Sequence, residues 1–140
     1  MAYRRTNHKY GAKPITIGGI RFDSTGEGHR WLFLKDCERR GELSNLQRQV
    51  KFELAAPEYQ MRIGARGKPV RGPILLHGIT YTADFVYTLP DGRGVVEDYK
   101  GFETPEFQIK ERLMHDMLGV TIYKPKSPAA PLGPGQHVDM

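Results

Sequence analysis

With 140 residues, the chain is long enough to bury one hydrophobic core and too short for two sizeable ones. Its 39% hydrophobic and 26% charged residues are typical of a soluble globular protein, and no apolar run approaches the roughly 20 residues that span a membrane. The net charge of +5 favours a polyanionic partner, while a single cysteine, Cys37, excludes an internal disulfide and a zinc site built from cysteine pairs.

Residues 1–14 read as a flexible basic N-terminal arm. They are polar and unpatterned, they contain Arg4, Arg5 and Lys9, and no acidic residue occurs before Asp23. No apolar stretch follows these charges, so we expect no secretory signal, no membrane association and a cytoplasmic location.

The next segments predict a short hairpin and a helix. Residues 15–22 have the β-branched pattern of a strand or hairpin. Ser24 and Glu27 form a capping box that opens a helix running to Arg40, and Gly41 is its C-terminal stop. Cys37 lies in this helix and is interpreted as a small core residue.

Three strands are predicted in the middle of the chain. They cover residues 46–54, 79–87 and 95–100, and the last two are joined by turn residues. The long connection at 57–78 is expected to form a hairpin with its tip near residues 66–68.

A second helix and a final strand complete the predicted domain. Thr104 is a good N-cap with Pro105 at the first helical position, and the helix should end at Leu118. Residues 120–123 predict a last strand, and the Pro- and Gly-rich residues 125–140 predict a disordered or loosely docked tail. The order helix, strand, strand, strand, helix, strand predicts an α/β sandwich with a mixed sheet.

Two carboxylates and a lysine are the strongest functional pattern. Strand alternation places Asp98 and Lys100 on one face, and Asp84 on the antiparallel neighbour can join them. Gathered carboxylates repel each other, and a divalent cation is the common reason for keeping them close. Alternation turns Glu97 to the other face, outside this site. Taken alone, Asp98 and Lys100 could also be a solvated ion pair.

With these elements and residues the chain resembles the PD-(D/E)xK nuclease superfamily. Within it, the chain more closely resembles a small phage- and prophage-encoded family related to junction-resolving endonucleases. The resemblance rests on the element order, on Asp84, on Asp98-Tyr99-Lys100 and on Glu27. It extends over roughly residues 10–124, with matching segments at 9–11, 19–24, 46–52 and 81–85. The proline that gives the superfamily its name is replaced by Ala83, and Gly26 and Gly28 flank Glu27.

The resemblance implies a restriction-endonuclease-like α/β core over residues 15–124, with a central mixed sheet flanked by helices. It implies a Mg²⁺ or Mn²⁺ ion held by Asp84, Asp98 and the main-chain carbonyl of Tyr99, with Glu27 as ligand of a second metal. Lys100 would position or deprotonate the attacking water. Capping the helix remains a sufficient alternative role for Glu27.

Less specific patterns predict which residues contact nucleic acid and which support the site. The resemblance makes Gln49 a residue that orients a metal-bound water or Lys100. Phosphate contacts are expected from the basic segments, from β-strand cations and from the start of the second helix. These residues are Arg4, Arg5, Lys9, Arg48, Lys51, Arg62, Arg66, Lys68, Gln108 and Lys110.

The expected function is therefore a metal-dependent DNA endonuclease, phage-encoded and acting on branched DNA in recombination, replication or packaging. Branch preference and a homodimer are implied by the family only. A noncatalytic nucleic-acid-binding module on the same fold is the alternative, and composition does not distinguish DNA from RNA.

Overall fold

The computed structural model describes residues 13–139. Arg4, Arg5 and Lys9 of the predicted basic segment lie outside the described residues. The elements are β1 (Ile15–Ile17), β2 (Ile20–Phe22), α1 (Thr25–Arg39), β3 (Ser44–Ala55), β4 (Glu58–Ile63), β5 (Pro69–Leu76), β6 (Ile79–Thr88), β7 (Gly94–Glu97) and α2 (Pro105–Leu118).

Both helices begin at the predicted caps. The Ser24 side chain accepts a hydrogen bond from the backbone N–H of Glu27 at 3.1 Å, and Thr104 accepts one from Phe107 N–H at 3.1 Å. Each cap satisfies a donor that the first turn of a helix leaves without an intrahelical partner. The predicted helices at 24–40 and 104–118 are therefore confirmed.

The central sheet contains three strands in the order β3-β6-β7, and all neighbours are antiparallel. The β1–β2 hairpin and the β4–β5 hairpin are separate two-stranded sheets. The α/β class is confirmed, but the predicted mixed sheet is wrong for these strands.

The predicted last strand at 120–123 is reduced to a single parallel bridge between Glu97 and Tyr123. Tyr123 N–H donates to Val96 O at 2.8 Å, and Gln136 pairs with Gly94 farther along the same strand. Because two separate segments share the edge of β7, neither forms a full strand there.

The two helices cover opposite faces of the sheet. Val86 packs in a buried cluster with Met114 of α2, whereas the next residue, Tyr87, packs in a cluster with Leu34 of α1. Successive strand residues point to opposite faces, so the sheet lies between the helices.

Residues 125–139 are docked, so the prediction of a disordered or loosely docked tail is wrong. The buried Arg30 guanidinium donates to the carbonyls of Pro128 and Pro131, both at 3.2 Å, and to that of Ala130. The carbonyls of an irregular proline-rich segment are not used by helix or sheet, and are therefore available to a buried cation. Leu132 also packs against the α1 cluster.

No helix within residues 13–139 is both long and apolar enough to cross a membrane.

Candidate metal centre

The register of the sheet places Asp84 between Gln49 and Asp98. The last pair of the β6–β7 ladder is Phe85 with Glu97, so Asp84 and Asp98 are opposite each other one position beyond it. On the other side, the β3 pairs on either side of Gln49 place it opposite Asp84. Strands β3 and β6 and the residue that follows β7 therefore bring one polar side chain each to the same level of the sheet.

Strand β7 ends at Glu97 rather than at Lys100 as predicted. Beyond this point the backbone N–H of Tyr99 donates to Oδ2 of Asp84 at 3.0 Å. A carboxylate thus takes the place of a strand partner, and the backbone of Tyr99 is held at the site.

Asp98 is buried with one carboxylate oxygen incompletely satisfied. Its Oδ2 accepts a hydrogen bond from the Tyr81 hydroxyl. Its Oδ1 is buried and accepts no well-formed hydrogen bond from any described residue, although Lys100 Nζ lies 3.2 Å away as an ion-pair partner. A buried carboxylate oxygen of this kind is costly unless another partner binds it.

Asp84 lies in excess negative charge. Burial, then the charges of Asp98 and Glu27, raise its pKa well above the ordinary 3.8, and Lys100 only partly offsets them. The contact between Asp84 Oδ1 and Gln49 Nε2 is weak, at 3.5 Å. A bound cation would offset the repulsion from Asp98 and Glu27, which adds to burial in raising this pKa.

Glu27 does more than cap α1. Its side chain is buried, with Oε1 3.4 Å from Gln49 Nε2. Burial raises its pKa, with Asp23 the next cause, and Arg48 lowers it. The backbone of Glu27 takes part in capping while its carboxylate faces the same amide as Asp84, so both predicted roles are compatible.

Close packing explains the two glycines that flank Glu27. A Cβ at Gly26 would lie 2.8 Å from Cζ of the Tyr99 ring, and a Cβ at Gly28 would lie 2.7 Å from Cγ2 of Ile15. A side chain at either position would displace Tyr99 or the β1 side chains from α1, which accounts for two residues that each cost a helix about 1 kcal/mol.

Gln49 has a left-handed backbone in the middle of a strand. Its φ is 51°, a conformation that costs a residue with a side chain roughly 1–2 kcal/mol. Its amide is within 3.4–3.5 Å of both Glu27 and Asp84. Strain of this kind concentrates at functional sites.

Lys100 lines a pocket of about 260 Å³ together with Asp98. Its Nζ is 4.9 Å from the centroid of the Phe107 ring, which helps to hold it there. Lys110 also lines the pocket and pairs with Glu106 at 3.0 Å, whereas Gln108 is exposed and does not line it. The pocket residues are Thr80, Tyr81, Thr82, Asp98, Lys100, Thr104, Glu106, Phe107 and Lys110.

Among the other predicted DNA contacts, Arg48 packs against two aromatic rings. Its guanidinium lies 4.5 Å from the centroid of Phe22 and 5.7 Å from that of Trp31, and its Nε is buried without a hydrogen-bond partner among residues 13–139. Aromatic packing holds it within the α1 side of the molecule. Four other predicted contacts are exposed, Lys51 on β3 and Arg62, Arg66 and Lys68 on the β4–β5 hairpin or its tip.

Sequence reasoning missed Tyr81 and Phe107. Tyr81 anchors Asp98, and Phe107 packs under Lys100. A tyrosine in a β pattern and a phenylalanine in a helix are more often core residues, so only the structure distinguishes them.

The candidate ligands suit a small hard cation that keeps several of its waters. They do not form a cage that would surround a metal ion with protein ligands. Among the residues described, no three His, Cys, Asp or Glu side chains converge into a ready-made metal-binding group. Mg²⁺ commonly uses only one or two carboxylates, with water and substrate oxygens completing its six ligands. Asp84 and Asp98, with an incompletely satisfied oxygen and an excess of negative charge, fit that requirement.

Comparison with known proteins gave one family. The model of a family described as "Protein of unknown function (DUF1064)" matches residues 7–123. Neither the curated proteins nor the solved structures gave a match. The matched residues include the whole candidate site and the β4–β5 hairpin.

Proposed function

We propose that this chain, which belongs to the DUF1064 family, is a metal-dependent DNA endonuclease with a restriction-endonuclease-like core. One observation carries the proposal. Asp84 and Asp98 are opposite each other at the open end of the β6–β7 ladder, with Lys100 3.2 Å from the incompletely satisfied Asp98 Oδ1. Two carboxylates can hold a metal ion and an ammonium can offset charge on phosphate, which are two of the roles that catalyse phosphodiester hydrolysis.

Asp84, Asp98 and the carbonyl of Tyr99 would hold Mg²⁺ or Mn²⁺. When bound, the ion neutralises charge on the phosphate and makes water a better nucleophile at neutral pH. Burial and the charges of Asp98 and Glu27 raise the pKa of Asp84, so without a metal this carboxyl holds a proton more readily, and the ion would take the place of that proton.

Lys100 places a positive charge next to the scissile phosphate. Its ammonium is held between Asp98 and the Phe107 ring, and Lys100 lines the pocket. There it can hydrogen-bond the attacking water and offset charge that develops on the phosphate. The water oxygen adds to phosphorus and loses its proton to bulk solvent, the bond from phosphorus to the 3′ oxygen breaks, and that oxygen takes up a proton from solvent, which leaves a 5′ phosphate and a 3′ hydroxyl.

Glu27 and Gln49 complete the site on the α1 side. The Gln49 amide lies between Glu27 and Asp84 and can donate to either carboxylate. It therefore lies between the two acids, and the Glu27 carboxylate would be available to bind a second ion or an ordered water.

The pocket beside α2 gives DNA a path to these residues. Lys110 and the hydroxyls of Thr80, Thr82 and Thr104 line it next to Lys100. Cations and hydroxyls are the side chains that contact phosphates irrespective of sequence. A phosphate flanking the scissile one would lie here.

The test is cleavage of labelled four-way junction, flap, linear duplex and single-stranded DNA, with a matched RNA, in Mg²⁺, Mn²⁺ or EDTA. Wild type should cut one or more DNA substrates only with metal. Asp98→Asn and Lys100→Met should lower the rate by at least about 100-fold, the usual contribution of a positioned acid–base or charge-stabilising group.

Asp91→Asn is the matched control. Asp91 is an exposed aspartate that pairs with Arg93 in the turn before β7, so its loss should leave cleavage unchanged. If wild type binds DNA without metal and does not cut it, the proposed enzymatic activity is wrong and the noncatalytic binding module is favoured. Preferential cutting of RNA would overturn the DNA assignment alone.

A further inference from the structure

The β4–β5 hairpin and its turn, residues 58–76 and hereafter the ribbon, stand apart from the core. None of the buried core residues described lies between Leu54 and Tyr81. Ile63 is 74% exposed, and Met61 and Leu75 are each 62% exposed. The ribbon thus presents large apolar side chains to solvent.

Such a ribbon is unusual without a partner. A two-stranded hairpin is at best marginally stable in water, and its outer edges carry unpaired backbone groups. Contiguous exposed apolar surface in a soluble protein commonly marks a binding site. The side chains of the ribbon are therefore expected to meet another molecule.

Charge indicates what that molecule is. Between Pro57 and Gly78 the charged side chains are four cations and one acid, Glu58. Arg71 lies 4.2 Å from the centroid of Tyr59, and the cations Arg62, Arg66, Lys68 and Arg71 are all exposed. Two copies of this ribbon would repel each other, whereas a polyanion is complementary to it.

The ribbon also leads to the candidate site. Strands β3 and β6 remain paired as far as Ala55 and Ile79, and the ribbon begins three residues farther on with Glu58 opposite Leu76. The strands it extends carry Gln49 and Asp84. A nucleic acid bound along the ribbon would therefore approach the metal centre.

We propose that the ribbon binds DNA containing unpaired or unstacked bases, an inference that rests on the DNA substrate proposed above. Its cations contact phosphates, and its exposed apolar side chains contact base faces that an intact duplex hides. Phosphate contact alone makes no use of Met61, Ile63 or Leu75, whereas apolar side chains of this kind can pack against or wedge between unstacked bases. This arrangement gives the enzyme its preference for structured DNA.

The test measures binding in EDTA, so that cleavage does not interfere, to a labelled duplex and to the same duplex with a central unpaired bubble. The apolar variant is Met61→Ser with Ile63→Ser, and its control is Ile109→Ser with Met117→Ser, two exposed residues of α2. The apolar variant should bind the bubble at least about tenfold more weakly and the paired duplex less than about twofold more weakly. The control should bind both as wild type does.

The charge variant is Arg66→Gln with Lys68→Gln, and its control is Lys35→Gln with Arg39→Gln on α1. The charge variant should weaken binding to both DNAs by a similar factor. It should also reduce the slope of log affinity against log salt by about 1.8, the value for two phosphate contacts.

Three results would overturn the inference. They are wild-type affinity in the apolar variant, equal loss on both DNAs, and a dimeric wild type that becomes monomeric in the apolar variant by sedimentation, which would assign the face to a second copy. Its failure is distinguishable from that of the proposed function. If wild type cuts DNA and the ribbon variants bind as wild type does, only the proposed role of the ribbon is refuted. If the ribbon binds unpaired DNA selectively but wild type does not cut, only the proposed nuclease activity is refuted.

Discussion

Glu97 and Asp98 are consecutive buried acids with opposite surroundings. Glu97 pairs with Arg30, at 2.5 Å from Nε and 2.9 Å from Nη2, and accepts a hydrogen bond from the Tyr87 hydroxyl at 2.7 Å. Asp98 keeps an oxygen without a well-formed hydrogen bond, beside the charge of Asp84. The comparison separates two uses of a buried carboxylate. One with all its partners holds the fold together, and one with too few is prepared for a cation.

The largest effect on stability is expected at the Arg30–Glu97 pair, where both buried charges have partners. Arg30→Met leaves Glu97 buried without its cation and removes the donor to three tail carbonyls, so the free energy of unfolding should fall by about 3–5 kcal/mol. Urea denaturation measures it. Arg39→Met, which breaks an exposed pair with Asp36, should change it little.

The double variant Arg30→Met with Glu97→Met sharpens this test. It removes both buried charges, so it should be more stable than Arg30→Met alone. If the single variant unfolds within about 1 kcal/mol of wild type, the buried pair is not the structural anchor that its geometry indicates.

Removal of residues 126–140 should have the next largest effect. Arg30 would lose its tail carbonyl acceptors, and the α1 cluster would lose the cover of Leu132. Water can replace the carbonyls and the Arg30–Glu97 pair remains, so we expect a smaller loss, about 2–3 kcal/mol. A truncated protein as stable as wild type would show that the tail only rests on the surface.

Removing the charge of Asp84, a carboxylate with too few partners, should instead raise the free energy of unfolding. A carboxyl whose pKa is raised in the folded protein holds its proton more tightly there than in the unfolded chain, so stability falls as pH rises from the ordinary value toward the raised one. For Asp84 this fall begins near pH 3.8. Asp84→Asn should remove it and raise metal-free stability at pH 8 by roughly 0.5–2 kcal/mol.

Unfolding curves between pH 4 and pH 8 measure this difference. Arg93 hydrogen-bonds Asp91 and lowers the pKa of that carboxyl, so Asp91→Asn should show no such gain. A loss of stability in Asp84→Asn at pH 8 would contradict the excess of negative charge.

The smallest effect is expected at Gln49. Both Gln49→Ala and Gln49→Gly remove the amide between the acids, but only glycine also relieves the φ of 51°. The glycine variant should be more stable than the alanine variant by about 1 kcal/mol. Equal stabilities in thermal unfolding would show that the backbone at this position is not strained.

The helices and the facing aspartates were predictable because their determinants are local. Ser24 and Thr104 are caps whose effect acts within one turn, and β-branched residues on both sides of a turn imply that Asp84 and Asp98 are neighbours. Strand alternation also separated Glu97 from Asp98 correctly.

Contacts between distant residues were not predictable. Arg30 and the carbonyls of the tail are about one hundred residues apart in the chain, and no local pattern indicates that a proline-rich segment supplies acceptors to a buried cation. The left-handed Gln49 has no signal either, because glutamine is not a residue that favours positive φ. The reason for Gly26 is also distant in the chain, because the Tyr99 ring lies against it.

The most direct test of the central claim is Mn²⁺ binding, followed by electron paramagnetic resonance, to wild type, Asp84→Asn, Asp98→Asn and the control Asp91→Asn, with and without DNA. We predict saturable binding to wild type and to the control, weakened at least about tenfold in each of the two site variants. Binding that is absent from wild type under both conditions, or that is unchanged in Asp98→Asn, would contradict a metal centre at Asp84 and Asp98.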